Sequence, residues 1–248
     1  MRESDERFVA TAHELADLVL SHAGRDARVL DVGSGYGRLA FGLVDRGFAG
    51  RYDGFDILPR HVAWCRKHLT SVVPSLRFHH LDVRNARYNP EGRVDPTRAR
   101  FPVSGAFDVV ALFSVFTHMD RPSLTHYLAE IRRVLRPGGI AVSTFFLWDE
   151  ARLEAITSPA AIYPMVHELD ADTRYMNPAD PLHAIAYRQS LVMDLIADAG
   201  FQVEHVELGH WDGHDAPHTQ DLVVFRRPAT DREEGGRMRS LLDRIGRR

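Results

Sequence analysis

The stretch 29-VLDVGSGYGRLA-40 decides the fold class. Val29–Val32 is a short apolar run, Gly33, Gly35 and Gly37 follow at alternate positions, and a helical pattern resumes at Arg38. Glycines between a strand and a helix let the backbone turn sharply and come close to a ligand. A dinucleotide-binding loop would carry its third glycine where this chain has Arg38, so the spacing is G-x-G-x-G instead. Asp31 lies just ahead of the glycines. It would repel a pyrophosphate and attract a ligand bearing an ammonium and a sulfonium group.

The same alternation extends in both directions. Apolar and periodic runs predict helices over 6–22, 37–46, 59–69, 122–135 and 188–199, with strands at 51–56, 76–82, 107–113 and 139–146. Strand–helix alternation implies a parallel sheet covered on both faces. The runs Phe201–Leu208 and Asp221–Arg226 are too close together for a parallel crossover, so they predict a finishing antiparallel hairpin. Residues 84–104 hold five arginines and three prolines and read as a long inserted loop. Residues 148–187, rich in Tyr, His, Asp and Pro, read as an inserted lid. The expected organisation is one domain over 1–227, followed by a polar, Arg-rich tail over 228–248.

Composition narrows the function classes. The 248 residues carry 31 Lys and Arg against 34 Asp and Glu, a formal charge of −3, which argues against a nucleic-acid partner or a polybasic membrane anchor. The apolar runs are too short for a membrane span, and the N-terminus is too charged for a secretory signal. A lone cysteine, Cys65, rules out an intrachain disulfide, so a cytoplasmic protein is expected. A homodimer remains open.

Two further acids end predicted strands. Asp56 lies 19 residues past Gly37, where a carboxylate accepts two hydrogen bonds from a ribose diol. Asp82 ends 78-FHHLD-82 and could meet an adenine amino group. Together, D-V-G-S-G-Y-G, Asp56, Asp82-Val83, 107-FDVVALFSV-115 and 134-VLRPGGIAVSTFF-146 resemble the class I S-adenosylmethionine-dependent methyltransferases over residues 25–146. The resemblance implies a Rossmann-like α/β fold, with a seven-stranded sheet whose last strand is antiparallel and lies between its two neighbours. It also implies roles. Asp31, Gly33, Gly35 and Gly37 would hold the methionine moiety of S-adenosylmethionine. Asp56 would hold the ribose, with Ile57 against the adenine. Asp82 and the Val83 amide would read the adenine edge, and Phe113 would border the cofactor.

Methyl transfer is an in-line displacement at a sulfonium carbon, so the protein mainly positions the nucleophile and excludes water. An alcohol acceptor benefits from a base or a metal. His118, in 113-FSVFTHMD-120, is the candidate base; a helix cap or a place in the wall beneath the cofactor is the alternative. Asp120 reads as the N-cap of the next helix, and His79 and His80 as packing residues. In 209-GHWDGHDAPHTQD-221, the residues His210, Asp212 and His214 could hold a divalent cation such as Mg. His210 and His214 could equally touch substrate, or the loop could be solvated. Trp148, Tyr163 and Tyr175 in the lid suit a polar ring such as a sugar, or an aromatic metabolite. The segments 114-SVFTHM-119 and 143-STFFLW-148 also resemble methyltransferases of glycosylated metabolites and polysaccharides. The expected activity is O-methylation of a small polar hydroxyl compound, a sugar or glycoside. Alternatives are N- or C-methylation of another metabolite, and a non-catalytic, cofactor-binding regulator.

Overall fold

Arg28–Val32 forms the central strand β1 because all but its first residue are buried, the signature of a parallel strand covered on both faces. The computed structural model describes residues 5–229. Around β1 lie β2 (Arg51–Asp56), β3 (Leu76–His80), β4 (Phe107–Leu112), β5 (Leu135–Phe145), β10 (Gln202–Glu207) and β11 (Asp221–Arg226), in the sheet order β10-β11-β5-β4-β1-β2-β3. Strands β1 to β5 pair in parallel, whereas β11 runs antiparallel to both β5 and β10. The expected seven-stranded sheet is therefore present, with its reversed last strand between two neighbours.

Period-two alternation builds a core on each face. Leu30, Val32, Val110 and Leu112 face the helices α4 (Arg121–Val134) and α6 (Gln189–Asp198). Val29, Val109, Ala111 and Val142 face α1 (Asp5–His22), α2 (Arg38–Asp45) and α3 (Pro59–Cys65). Asp120 caps α4 by accepting from the Ser123 amide at 3.0 Å, as its place in the sequence predicts. His79 pairs with Asp53 at 2.8 Å.

Three boundaries differ from expectation. Helix α3 ends at Cys65 and continues as a π-helical turn over Arg66–Thr70. Strand β3 stops at His80, because the Val83 amide turns back onto the Leu81 carbonyl at 2.7 Å. Strand β5 starts at Leu135 rather than 139, with a register shift against β4 that takes up the Pro137–Gly139 excursion.

The expected lid is a second sheet. Strands β6 (Leu147–Trp148), β7 (His167–Asp170), β8 (Thr173–Tyr175) and β9 (Ile185–Arg188) pair in the order β6-β9-β8-β7, with the short helix α5 (Leu153–Thr157) between β6 and β7. This sheet has its own core of Phe146, Trp148, Ile156, Met165, Ala184, Ala186 and Trp211. Most of the Arg-rich tail, everything past Ala229, lies outside the described residues.

Candidate active site

The glycine loop joins β1 to α2 with Gly33, Gly35 and Gly37 all at positive φ, at 74°, 53° and 74°. Their surroundings divide them. A Cβ on Gly33 would lie 2.8 Å from Val115 Cγ2, and one on Gly37 2.5 Å from Leu69 Cδ1. Those two glycines serve the protein's own packing. At Gly35 a Cβ would meet nothing within 4 Å, so its backbone borders open space. That is the position where a ligand could approach the chain.

The Gly35 amide donates to Asp56 Oδ2 at 2.8 Å, and the Leu58 amide donates to Asp56 Oδ1 at 2.8 Å. Asp56 thus ties the glycine loop to the exit of β2. A carboxylate has about four acceptor positions, so two remain for a diol. His61 Nδ1 stands 3.3 Å from Oδ1, with the Tyr36 ring tilted against His61 at 4.2 Å between centroids. These aromatic neighbours carry no motif and were not legible beforehand. Beneath the loop, Asp31 is 4% exposed and accepts from the Tyr52 hydroxyl at 2.6 Å. Burial pushes its carboxyl up to about 7.

The far end of this half departs from expectation. Asp82 accepts from Arg93 Nε at 2.7 Å and from Asn89 Nδ2 at 3.1 Å, so its carboxylate anchors the 84–104 loop. The Val83 amide is occupied by the Leu81 carbonyl. The Val83 amide thus has a protein partner, and Asp82, like Asp56, has two of about four acceptor positions taken. The side chains of Ile57 and Val83 instead line a cavity of about 480 Å³, together with His118, Met119, Tyr127 and Leu182.

His118 therefore shares a cavity with Ile57 and Val83. Its Nδ1 donates to the Leu182 carbonyl at 2.9 Å, and the Tyr88 hydroxyl lies 3.4 Å from Nε2. Burial holds the imidazole below the usual histidine range. Beside it, Arg87 forms an ion pair with Asp180 across the gap between the 84–104 loop and the second sheet's segment.

On the other half of the sheet edge, Phe113 follows β4 and packs half-buried against the core. Next to it, Ser114 has φ 56°, a left-handed conformation uncommon for serine. Its amide donates to Thr144 Oγ1 at 2.8 Å, and Gln220 Oε1 lies 2.9 Å from Ser114 Oγ and 2.6 Å from Thr144 Oγ1. These three residues come from the exits of β4 and β5 and the start of β11.

The structure corrects the metal expectation. Asp212 is 7% exposed, pairs with Arg152 Nε at 2.8 Å and accepts from His214. His210 has its Nδ1 on the Ala216 carbonyl at 2.9 Å. Among the described residues no group of three or more His, Cys, Asp and Glu side chains could hold a metal ion. The substrate candidates also scatter. Trp148 is buried, with the Arg174 and Arg188 guanidinium groups over its ring at 5.2 and 4.2 Å. Tyr163 packs on Phe146 at 4.9 Å, and Tyr175 stacks on His167 at 5.2 Å. Trp148 and Tyr163 serve the second core, whereas Tyr175 packs against the core of the main sheet.

This sheet order, with an open glycine loop tied to an acid at the end of β2, is the Rossmann-like fold of the methyltransferases it aligns with. Solved structures agree on the fold. The chain aligns with Burkholderia thailandensis 1,6-didemethyltoxoflavin-N1-methyltransferase at TM-score 0.57 and 18% identity, covering 89% of this chain and 79% of that one. It aligns with the glycopeptide N-methyltransferase MtfA at 0.57 and 18%, covering 88% and 93%. With the [4+2]-cyclase SpnF the values are 0.60 and 20%, covering 89% and 83%. Residues 29–139 match a family described as a methyltransferase domain.

Proposed function

We propose that this methyltransferase moves a methyl group from S-adenosylmethionine to a hydroxyl oxygen of a small polar molecule, with a sugar or glycoside the first candidate. The carrying observation is the open backbone at Gly35, whose amide is fixed on Asp56. In this reading the methionine moiety lies along the glycine loop and Asp31 offers its carboxyl to the ammonium. The ribose hydroxyls take the two remaining acceptor positions of Asp56. Adenine enters the cavity between Ile57 and Val83, and His118 forms part of that cavity's wall. When bound, the cofactor supplies the methyl group and its own leaving group. The protein's residues then orient the acceptor and exclude water.

A hydroxyl acceptor is favoured over an amine because the groups clustered beside Phe113 are hydroxyls and an amide: Ser114, Thr144 and Gln220. An ammonium would be drawn to a carboxylate instead. Two measurements test the reading. Calorimetry with S-adenosylhomocysteine should give a saturable isotherm for the wild type and none for a folded Gly35→Val variant. An acceptor screen that reads S-adenosylhomocysteine release should respond to hydroxyl compounds; turnover of amines alone would refute O-methylation.

A further inference from the structure

We propose that Ser114 and Gln220 form a specificity-determining subsite that receives a neutral hydroxyl group of the methyl acceptor. This rests on the reading of the chain as an O-methyltransferase and names the contacts that would select its substrate.

Proton positions in the cluster follow from one backbone bond and one short separation. The Ser114 amide donates to Thr144 Oγ1 at 2.8 Å, so the Thr144 hydroxyl sends its own proton elsewhere. Gln220 Oε1, 2.6 Å away, is its partner. A separation of 2.6 Å suits O–H···O and is short for N–H···O, which sets the Gln220 amide with its oxygen toward Thr144. Ser114 Oγ donates to the same oxygen at 2.9 Å. Among the described residues, the two N–H groups of Gln220 Nε2 then have no partner, and Ser114 Oγ keeps its lone pairs. A ligand hydroxyl matches this set: its oxygen accepts from Gln220, and its proton goes to Ser114 Oγ. An ammonium brings only donors and a carboxylate only acceptors, so each satisfies half of the subsite.

The backbone gives a second, independent indication. Ser114 and Ala106 are the only non-glycine residues with positive φ among the described residues. Such conformations persist where the surroundings enforce them, and they gather at ligand sites. Here the strained turn directs the Ser114 amide to Thr144 and its hydroxyl to Gln220. The turn also stands beside the glycine loop, since Val115 is the residue that abuts Gly33. The cluster crowns β4, β5 and β11, on the side of β1 opposite β2 and β3. An acceptor held there would stand across from the cofactor half, next to where the loop is open.

The test uses full-length protein saturated with S-adenosylhomocysteine and labelled with ¹⁵N in its glutamine side chains. The probes are methyl α-glucoside, catechol and butylamine, and Gln220→Glu identifies the Gln220 amide signals by their loss. At least one hydroxyl probe should shift those signals, and butylamine should not. Gln220→Leu should weaken that probe about tenfold, the effect of one lost polar hydrogen bond, with the S-adenosylhomocysteine dissociation constant unchanged. Ser114→Gly suits the left-handed backbone but lacks Oγ. It should keep or raise the thermal midpoint and still weaken the hydroxyl probe. Signals that ignore both hydroxyl probes, a shift with butylamine, or an unchanged titration in Gln220→Leu would each overturn the subsite while leaving the cofactor reading intact. A wild type that fails to bind S-adenosylhomocysteine would overturn both.

Discussion

The Asp31 carboxyl, pushed up to about 7 by burial, keeps its proton in the ligand-free fold at pH values where the unfolded chain has lost it. Because the folded value is the raised one, the associated stability is full below the unfolded value near 3.8 and is lost as pH rises toward 7. The loss amounts to about 4 kcal/mol at most. Asp31→Asn stays neutral and can still accept from Tyr52. Its ligand-free thermal midpoint should exceed the wild type's by several degrees at pH 8, and the two should converge near pH 4. Affinity for S-adenosylhomocysteine should fall in the same variant. Equal midpoints at pH 8 would show that Asp31 ionises without cost. The His118 imidazole supports a second expectation. Set in the Ile57–Val83 cavity, His118→Ala should raise the S-adenosylhomocysteine dissociation constant by about tenfold through lost packing and an unpaired Leu182 carbonyl. A normal dissociation constant with kcat lowered by orders of magnitude would instead make His118 the base.

Between elements, the 84–104 loop and the 180–183 turn meet through Arg87–Asp180 and through His118, which bonds Leu182 and faces Tyr88. The hollow inside this contact and a second one of about 490 Å³ outside it share Ala86 and Leu182 as walls. Arg87→Ala and Asp180→Ala should therefore speed both association and dissociation of S-adenosylhomocysteine, by about two- to fivefold, the range of a half-exposed ion pair. The dissociation constant should change little, and stopped-flow traces at rising salt should move the wild type toward the variants. Unchanged rates would mean that ligand passes elsewhere. This loop also marks where sequence reading stopped. Asp120 and the strands of the sheet were legible because caps and period-two burial depend on near neighbours. Asp82 has the right position for an adenine ligand, yet its partner is set by how Arg93, eleven residues on, folds back. Ser114 lies in a stretch whose resemblance assigns it no role and Gln220 in the His- and Asp-rich loop; two strand exits and a strand start had to converge before their chemistry could be read.

At the scale of the molecule, one carboxylate holds the two sheets together. Asp221, fully buried at the start of β11, accepts from the Leu147 amide at 2.5 Å, the Gly209 amide at 2.7 Å and Trp211 Nε1 at 2.7 Å. Arg152 reaches it at 3.2 Å while also pairing with Asp212. Removing one member of a buried ion pair leaves the other uncompensated, so Asp221→Ala should cost about 3–5 kcal/mol in denaturant unfolding. A loss below about 1 kcal/mol, the range of a surface pair, would show that the junction carries little of the fold. The histidines and aspartates that resemble metal ligands in the sequence belong to this junction.

The second sheet leaves and rejoins the chain at one place. Its first strand begins a single residue after β5 ends, and Leu147 pairs directly with Tyr187 in parallel. Paired strands lie about 5 Å apart, so the two ends of this forty-residue excursion are neighbours in space. Such a segment can lengthen, shorten or be exchanged for another without moving the glycine loop or Asp56. The architecture thus lets this segment vary without moving the strand ends that carry Ser114, Thr144 and Gln220. A chimera that receives a relative's 148–187 should fold and keep its own preference among hydroxyl compounds, and should change the rates at which S-adenosylhomocysteine enters and leaves, since Asp180 and Leu182 travel with the segment.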